Sequence, residues 1–206
     1  VGSLFSGIGA FEQALEILGL KSEISFACDN DEFVKKSFFA NYNIKENNWY
    51  DDVLKLDTKK YKNKIDLLVG GAPCQSFSMV GKRKGLKDDR GNLTIHFIKK
   101  INEIKPKVFI FENVRALLSV DNGSAWKTVL KMFEKTGYDF SFNLLNAKNF
   151  GIPQNRERLF VIGFKNKNDF RFPKPISLEN TMQDFLEGKF DEKFYLPPKG
   201  IAFVTK

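Results

Sequence analysis

One histidine and two cysteines are all the imidazole and thiol chemistry that 206 residues offer. Cys28 and Cys74 stand in unrelated contexts, so no disulfide framework is expected and a reducing, intracellular compartment fits. His96 beside two unrelated cysteines does not build a zinc site, and no metal site is expected. A single histidine also disfavours a serine or cysteine triad. No run approaches the roughly 20 apolar residues of a membrane helix. The opening Val-Gly-Ser-Leu-Phe-Ser-Gly has neither the basic region nor the apolar run of a signal peptide. It lacks an initiator Met, so the chain is expected to begin inside a longer protein. Internal repeats and low-complexity tracts are absent as well.

What is present suits a folded domain. Hydrophobic residues make up 42% of the chain, ordinary for a globular protein long enough to bury a core. Phenylalanine is over-used, with 22 copies, and a phenylalanine-rich core is the simplest use for it. Lys and Arg outnumber Asp and Glu by 33 to 25, a net charge of +8. That excess suits a polyanionic partner, but only once chemistry points the same way, because a lysine-rich composition gives the same sum.

Hydrophobic spacing predicts alternating strands and helices. Strands are expected at Ser3 to Phe5, Ile24 to Cys28, Trp49 to Val53, Ile65 to Val69 and Val108 to Phe111, with later ones at Phe140 to Leu145 and Leu159 to Phe164. Helices are expected at Phe11 to Leu18, with Phe11, Ala14, Leu15 and Leu18 on one face, and at Glu32 to Ala40, Leu93 to Ile104 and Ser124 to Lys135. Gly19 stops the first helix and Asp31 caps the second. The alternation implies an α/β fold with a mostly parallel sheet, helices on both faces and an antiparallel edge pair from the last two strands. Residues 1–165 are expected to form the catalytic and cofactor-binding domain. The proline-richer, less periodic 166–206 reads as a linker into a region that this chain does not complete.

Four motifs fall at predicted strand ends, where ligands bind in such sheets. Phe5-Ser6-Gly7-Ile8-Gly9 lies between a strand and a helix, and its glycines permit positive φ and close backbone approach. Asp29 follows about 20 residues on, placed for ribose hydroxyls, and Asp52 at the next strand end could receive an adenine amino group. Glu12 occupies the third glycine position of the dinucleotide fingerprint, which disfavours a nicotinamide or flavin dinucleotide. In Gly70-Gly71-Ala72-Pro73-Cys74-Gln75-Ser76-Phe77-Ser78, Pro73 fixes its own φ and pushes Ala72 to extended geometry. Cys74 then sits at a rigid strand exit; a lone cysteine is usually structural, but Lys82, Arg83, Lys84 and Lys87 nearby favour a thiolate. Glu112 ends an apolar strand, which is costly without a partner or a task; capping the next helix is its plain alternative. Arg156 and Arg158, spaced by one residue, share a side of an extended segment, or else form a solvated basic turn.

Phe-x-Gly-x-Gly, Pro-Cys-Gln, Glu-Asn-Val and Gln-x-Arg-x-Arg, in this order, resemble the signature of cytosine-specific (carbon-5) DNA methyltransferases of the bacterial restriction-modification type. Gly81 to Leu93 and Leu145 to Gln154 match as well, so the resemblance runs from about Leu4 to Phe164. It implies a Rossmann-like methyltransferase fold, S-adenosylmethionine as cofactor, double-stranded DNA as partner and a cytoplasmic location in a bacterial cell. Cys74 becomes the nucleophile that adds to carbon 6 of a flipped cytosine. Glu112 contacts the ring nitrogen and exocyclic amino group, Arg158 the carbonyl oxygen, and Arg156 supports the site. Phe5, Ser6, Gly7, Ile8 and Gly9 lie near the methionine part, Asp29 on the ribose, Asn30 and Val53 beside the adenine, and Asp52 on its amino group. Pro73 and Leu93 complete the wall. Gln75, Ser78, Lys82, Arg83, Lys84 and Arg90 belong to the family's mobile loop and contact DNA. Asn30 departs from the large apolar residue frequent there, and Ala10 from a usual glycine.

The family's target-recognition domain and final Gly-Asn-Ser-Val-type motif do not occur by Lys206. A second chain or a further C-terminal segment is expected to carry them. Three other readings compete: an RNA (tRNA) cytosine-5 methyltransferase, the catalytic subunit of a split enzyme, and an oxidoreductase with an adenine cofactor. A non-catalytic relative is opposed by intact Cys74, Glu112 and Arg158.

Overall fold

Short, buried strands form the centre of one sheet, and the computed structural model describes residues 1–73, 93–189 and 191–205 of the chain. Two compact units result: Val1–Leu145 with Glu157–Lys174, and Asn146–Arg156 with Pro175–Lys206.

In the first unit the elements run β1 (Gly2–Leu4), α1 (Ala10–Ile17), β2 (Phe26–Cys28), α2 (Glu32–Asn41), β3 (Trp49–Tyr50), α3 (Thr58–Tyr61), β4 (Leu67–Gly71), α4 (Leu93–Ile104), β5 (Val108–Val114), α5 (Ser124–Glu134), β6 (Asp139–Asn146) and β7 (Glu157–Phe164). The sheet order is β3-β2-β1-β4-β5-β7-β6. Strands β1 to β5 pair in parallel, and β7 lies antiparallel to β5. This is the expected mostly parallel α/β sheet with an antiparallel edge. β7 enters between β5 and β6 and so joins the sheet's interior. The chain order reverses between β1 and β4, the switch point beyond whose strand ends ligands bind in open α/β sheets.

Phenylalanine does fill the core. Phe97, Phe109, Phe111 and Phe133 are fully buried, with Phe109 stacked on Phe133 at 5.5 Å and Phe97 tilted on Phe111 at 5.1 Å. Asp31 caps α2 by accepting the Phe33 and Val34 amides, and Gly19 follows α1 at φ 66°.

Three local expectations are corrected. The Trp49 to Val53 strand stops at Tyr50, because the Asp52 side chain accepts the Leu54 N–H and turns the chain. The strand from Val108 continues to Val114, so Glu112 is a rung of the ladder and not its end. On α1 the expected face is only half covered: Phe11 and Leu15 are partly buried and Ala14 and Leu18 exposed, while Glu12 is 3% exposed.

Among the described residues neither carboxylate oxygen of Glu12 forms a well-made hydrogen bond. Burial raises its carboxyl above the ordinary 4.5, opposed by its own backbone amide, Ser3 and the amino terminus. A raised acid contributes stability below its unfolded value and loses it as pH rises through the folded value. Glu12→Gln is therefore expected to stabilise the protein at pH 8, by about 1–3 kcal/mol, and to change nothing near pH 4. Thermal melts of both proteins across that range test it; equal melting at pH 8 would count against a charged, unpartnered Glu12.

In the second unit, Asn146 caps a 3-10 turn at Ala147–Phe150, and Gly151 ends it at φ 85°. A short helix, α6 (Pro198–Val204), follows later. Among the described residues no helix is long and apolar enough to cross a membrane.

Candidate active site

The first turn is held open by left-handed backbone. Phe5 adopts φ 53°, Gly7 φ 54° and Gly9 φ 90°; for Phe5 this conformation costs on the order of 1–3 kcal/mol. Surrounding bonds enforce it. The Ser6 amide donates to the Cys28 carbonyl at 3.0 Å. The Ser6 hydroxyl accepts the Cys28 N–H at 3.0 Å and reaches the Ser3 and Cys28 carbonyls. Ser6 is thus a buried tie between β1 and β2. Gly7 donates its N–H to Asp29 Oδ2 at 2.9 Å, and Asp31 donates to Asp29 Oδ1 at 3.2 Å. Asp29 therefore anchors the glycine turn and still keeps carboxylate lone pairs for a further donor.

Gly9 caps α1 where no side chain fits. A Cβ there would stand 2.1 Å from the Tyr42 ring, and the Tyr42 hydroxyl donates to the Gly9 carbonyl at 2.8 Å. Among the described residues nothing lies within 4 Å of such a Cβ beside Gly7, so on their side the turn is open. Ile8 is exposed.

Around the neighbouring strand ends, Asn30 is exposed and lines a shallow cleft with Glu32, Lys35, Lys36, Phe39 and Asp51. Asp52 is half-buried in its turn, whereas Val53 is buried within the main core cluster. Leu93 opens α4 and packs partly against that cluster. Cys28, at the end of β2, is buried, and burial pushes its thiol up to about 12, with Asp29, Asp52 and Asp51 adding to the effect. It is a neutral thiol at neutral pH and no nucleophile.

At β4 and β5 the geometry is tighter. Gly71 lies opposite Glu112 in the parallel register, and a Cβ on Gly71 would stand 2.9 Å from Glu112 Oε2. Arg158 faces Val114 across the antiparallel pair and reaches diagonally to an ion pair with Glu112, its Nε 2.8 Å from Oε1. Both side chains are 23% exposed, neither sealed nor fully hydrated. Asn113 is 1% exposed and donates its amide to the Ala72 carbonyl at 2.9 Å. It thereby pins the strand exit that leads through the exposed Pro73 towards Cys74.

The structure thus brings Glu112, Arg158 and Gly71 together, and separately Asp29 with the glycine turn. Arg156 belongs to the second unit; its amide donates to Asn146 Oδ1 at 3.1 Å and its side chain is exposed. Cys74, Gln75, Ser78, Lys82, Arg83, Lys84 and Arg90 lie outside the described residues. Sequence reasoning missed Gly71, Asn113 and Tyr42. Gly71 and Asn113 stood inside quoted motifs without a role of their own, whereas Tyr42, 33 residues from Gly9, carried no signal.

A model for the family described as C-5 cytosine-specific DNA methylase matches residues 1–201. The chain is 39% identical over 227 residues to the orphan methyltransferase M.SPRI of Bacillus phage SPR, covering 95% of this chain and 52% of that protein. It is 38% identical over 210 residues to the Type II methyltransferase M.HpaII of Haemophilus parainfluenzae, covering 98% and 57%. The chain spans about half the length of these relatives. In fold it is similar to Spodoptera frugiperda DNMT2, with a TM-score of 0.78, 23% identity, and coverage of 98% of this chain and 64% of that one.

Proposed function

Because this chain belongs to the C-5 cytosine-specific DNA methylase family, we propose that it forms the catalytic part of an enzyme that methylates carbon 5 of cytosine in duplex DNA. The observation that carries the reading is the Glu112–Arg158 pair, with Gly71 leaving room for the carboxylate. It stands two residues along β5 from the end of the strand and one strand from the exit to Cys74.

Carbon 5 of cytosine is a poor nucleophile. A thiolate adding at carbon 6 turns it into an enamine carbon that can take a methyl group; loss of the carbon-5 proton to a water molecule then expels the thiolate and restores the ring. Cys74 has this role, since Cys28 is buried and neutral. Glu112 holds the ring nitrogen and the exocyclic amino group, which selects cytosine over thymine. Arg158 has no partner on its Nη2 among the described residues, and that group holds the carbonyl oxygen as electron density moves into the ring. Arg156 adds positive charge. The target atoms lie inside a duplex, so the base is flipped out. The basic segment with Gln75, Ser78, Lys82, Arg83, Lys84 and Arg90 contacts phosphates, giving affinity without sequence information.

The first turn fits S-adenosylmethionine. Open space beside Gly7 among the described residues, with Asp29 just after β2 and Asp52 in the turn after β3, suits a ligand with ribose hydroxyls and an amino group. When bound, this cofactor supplies an electrophilic methyl group. Phe5, Gly7, Ile8 and Gly9 border its methionine part, supported by Ser6. Asp29 accepts from the ribose and Asp52 from the adenine amino group, with Asn30, Val53, Pro73 and Leu93 around them. Residues 1–165 carry this chemistry, and 166–206 lead towards target recognition supplied by a further segment or second chain.

The test is covalent trapping on DNA containing 5-fluorocytosine, with S-adenosylmethionine and the full-length protein. A stable adduct is expected with the native protein and none with Cys74→Ser. An undiminished adduct in that variant would remove Cys74 from its role. Transfer to tRNA but not to duplex DNA would overturn the choice of substrate.

A further inference from the structure

We infer that Arg115 and Glu157 form a positioning pair that aims Arg158 at the cytosine; this rests on the reading that Glu112 and Arg158 hold the base. In the β5–β7 ladder the last pair is Val114 with Arg158, and just beyond it lie Arg115, which opens a 3-10 turn, and Glu157, which opens β7. There Arg115 Nη1 meets Glu157 Oε2 at 2.6 Å. The backbone carbonyl of Glu157 accepts from Arg158 Nη1 at 2.8 Å, and Arg158 Nε stands 2.8 Å from Glu112 Oε1 in an ion pair.

One residue therefore takes part twice. The Glu157 side chain is tied to the first residue after β5, and its carbonyl orients the guanidinium of the next residue. Without the tie, Glu157 is the first residue of β7, where a strand end frays most readily. Its carbonyl then stops being a fixed acceptor, and the Arg158 fork loses one of the two contacts that define its plane. A planar guanidinium with two fixed contacts has its remaining donors aimed, which is the geometry needed to meet a carbonyl oxygen.

Arg115 is 66% exposed and Glu157 34% on their side chains, and pairs this open to water contribute little to folding. Stability is thus not their main effect, and Arg115→Ala leaves a folded protein. Small errors in aim are costly in catalysis, so Arg115→Ala is expected to lower kcat about tenfold, with KM for the cofactor and the melting temperature near native values. The exchange Arg115→Glu with Glu157→Arg keeps the backbone carbonyl and rebuilds the ion pair in reverse. It is expected to recover most of the lost rate, which an independent role for either charge would not allow.

The experiment measures methyl transfer to DNA by the full-length protein, native and carrying Arg158→Ala, Arg115→Ala or the exchange, with melting and S-adenosylhomocysteine binding followed for each. Support is a loss in Arg115→Ala that falls on kcat and returns in the exchange. A kcat within twofold of native in Arg115→Ala, while Arg158→Ala is inactive, overturns the positioning role and leaves the base-holding role standing. So does a loss that the exchange fails to correct. Full activity in Arg158→Ala overturns the base-holding role, and the positioning role with it.

Discussion

Gly71→Ala is expected to lower kcat/KM for methyl transfer about 100-fold while barely changing the melting temperature. The added methyl would stand 2.9 Å from Glu112 Oε2, too close for both to stay. What yields is the tip of a flexible side chain, not backbone or core, so the fold accommodates the change by moving the carboxylate. Glycine within a strand costs roughly 0.5–1 kcal/mol against alanine, which offsets the cost of that movement. The carboxylate leaves the position defined by Arg158 Nε at 2.8 Å, and under the proposed function the cytosine loses the group that distinguishes it. Activity and calorimetric melting measured on the same sample separate the two effects. Native activity in Gly71→Ala would mean that the Glu112 position is not critical, and parallel loss of melting and activity would mean that the glycine serves only packing.

Gly9→Ala should fail in the opposite way, by unfolding. At φ 90° an alanine carries a backbone penalty of about 1–2 kcal/mol. Its methyl would also stand 2.1 Å from Tyr42 Cε2. That ring cannot swing aside cheaply. It packs on Phe38 at 4.8 Å, and its hydroxyl is bonded to the very carbonyl in question. A total loss of roughly 3–5 kcal/mol is expected, together with loss of S-adenosylhomocysteine binding in calorimetry. Gly7→Ala provides the internal comparison: φ is 54°, but among the described residues nothing lies within 4 Å, which leaves the smaller backbone term. Equal melting of the two variants would show that the Tyr42 contact is not the determinant.

Much of this was legible in the chain. Strand and helix alternation gave the sheet, because buried parallel strands must read as apolar runs such as Val108-Phe109-Ile110-Phe111. Asp31 announced its cap, and the glycines of the first turn announced positive φ. Glu112 and Arg158 were each visible as charges beside apolar strands, though nothing local said that they pair, since their contact depends on the register of two strands 46 residues apart in sequence at that point. The misses share that cause. Amphipathic spacing on α1 gives a face but not its neighbour, and Glu12 ended inside while Leu18 stayed out. Trp49 to Val53 has strand composition, yet one carboxylate of Asp52 captures the Leu54 amide and bends the chain. Asn113 looked like the polar middle of a motif; its tie to Ala72 joins β5 to the end of β4 and is a tertiary contact only.

The strand order carries a consequence for biosynthesis. β7 follows β6 in the chain but takes the berth beside β5, and it alone brings Arg158 to Glu112. A nascent chain emerging from the ribosome can thus assemble the whole parallel half of the sheet, first turn included, while Glu112 still lacks its guanidinium. Delivery of the segment after Asn155 sets the moment when that carboxylate is met, so the parallel half of the sheet can mature before the Glu112–Arg158 pair forms.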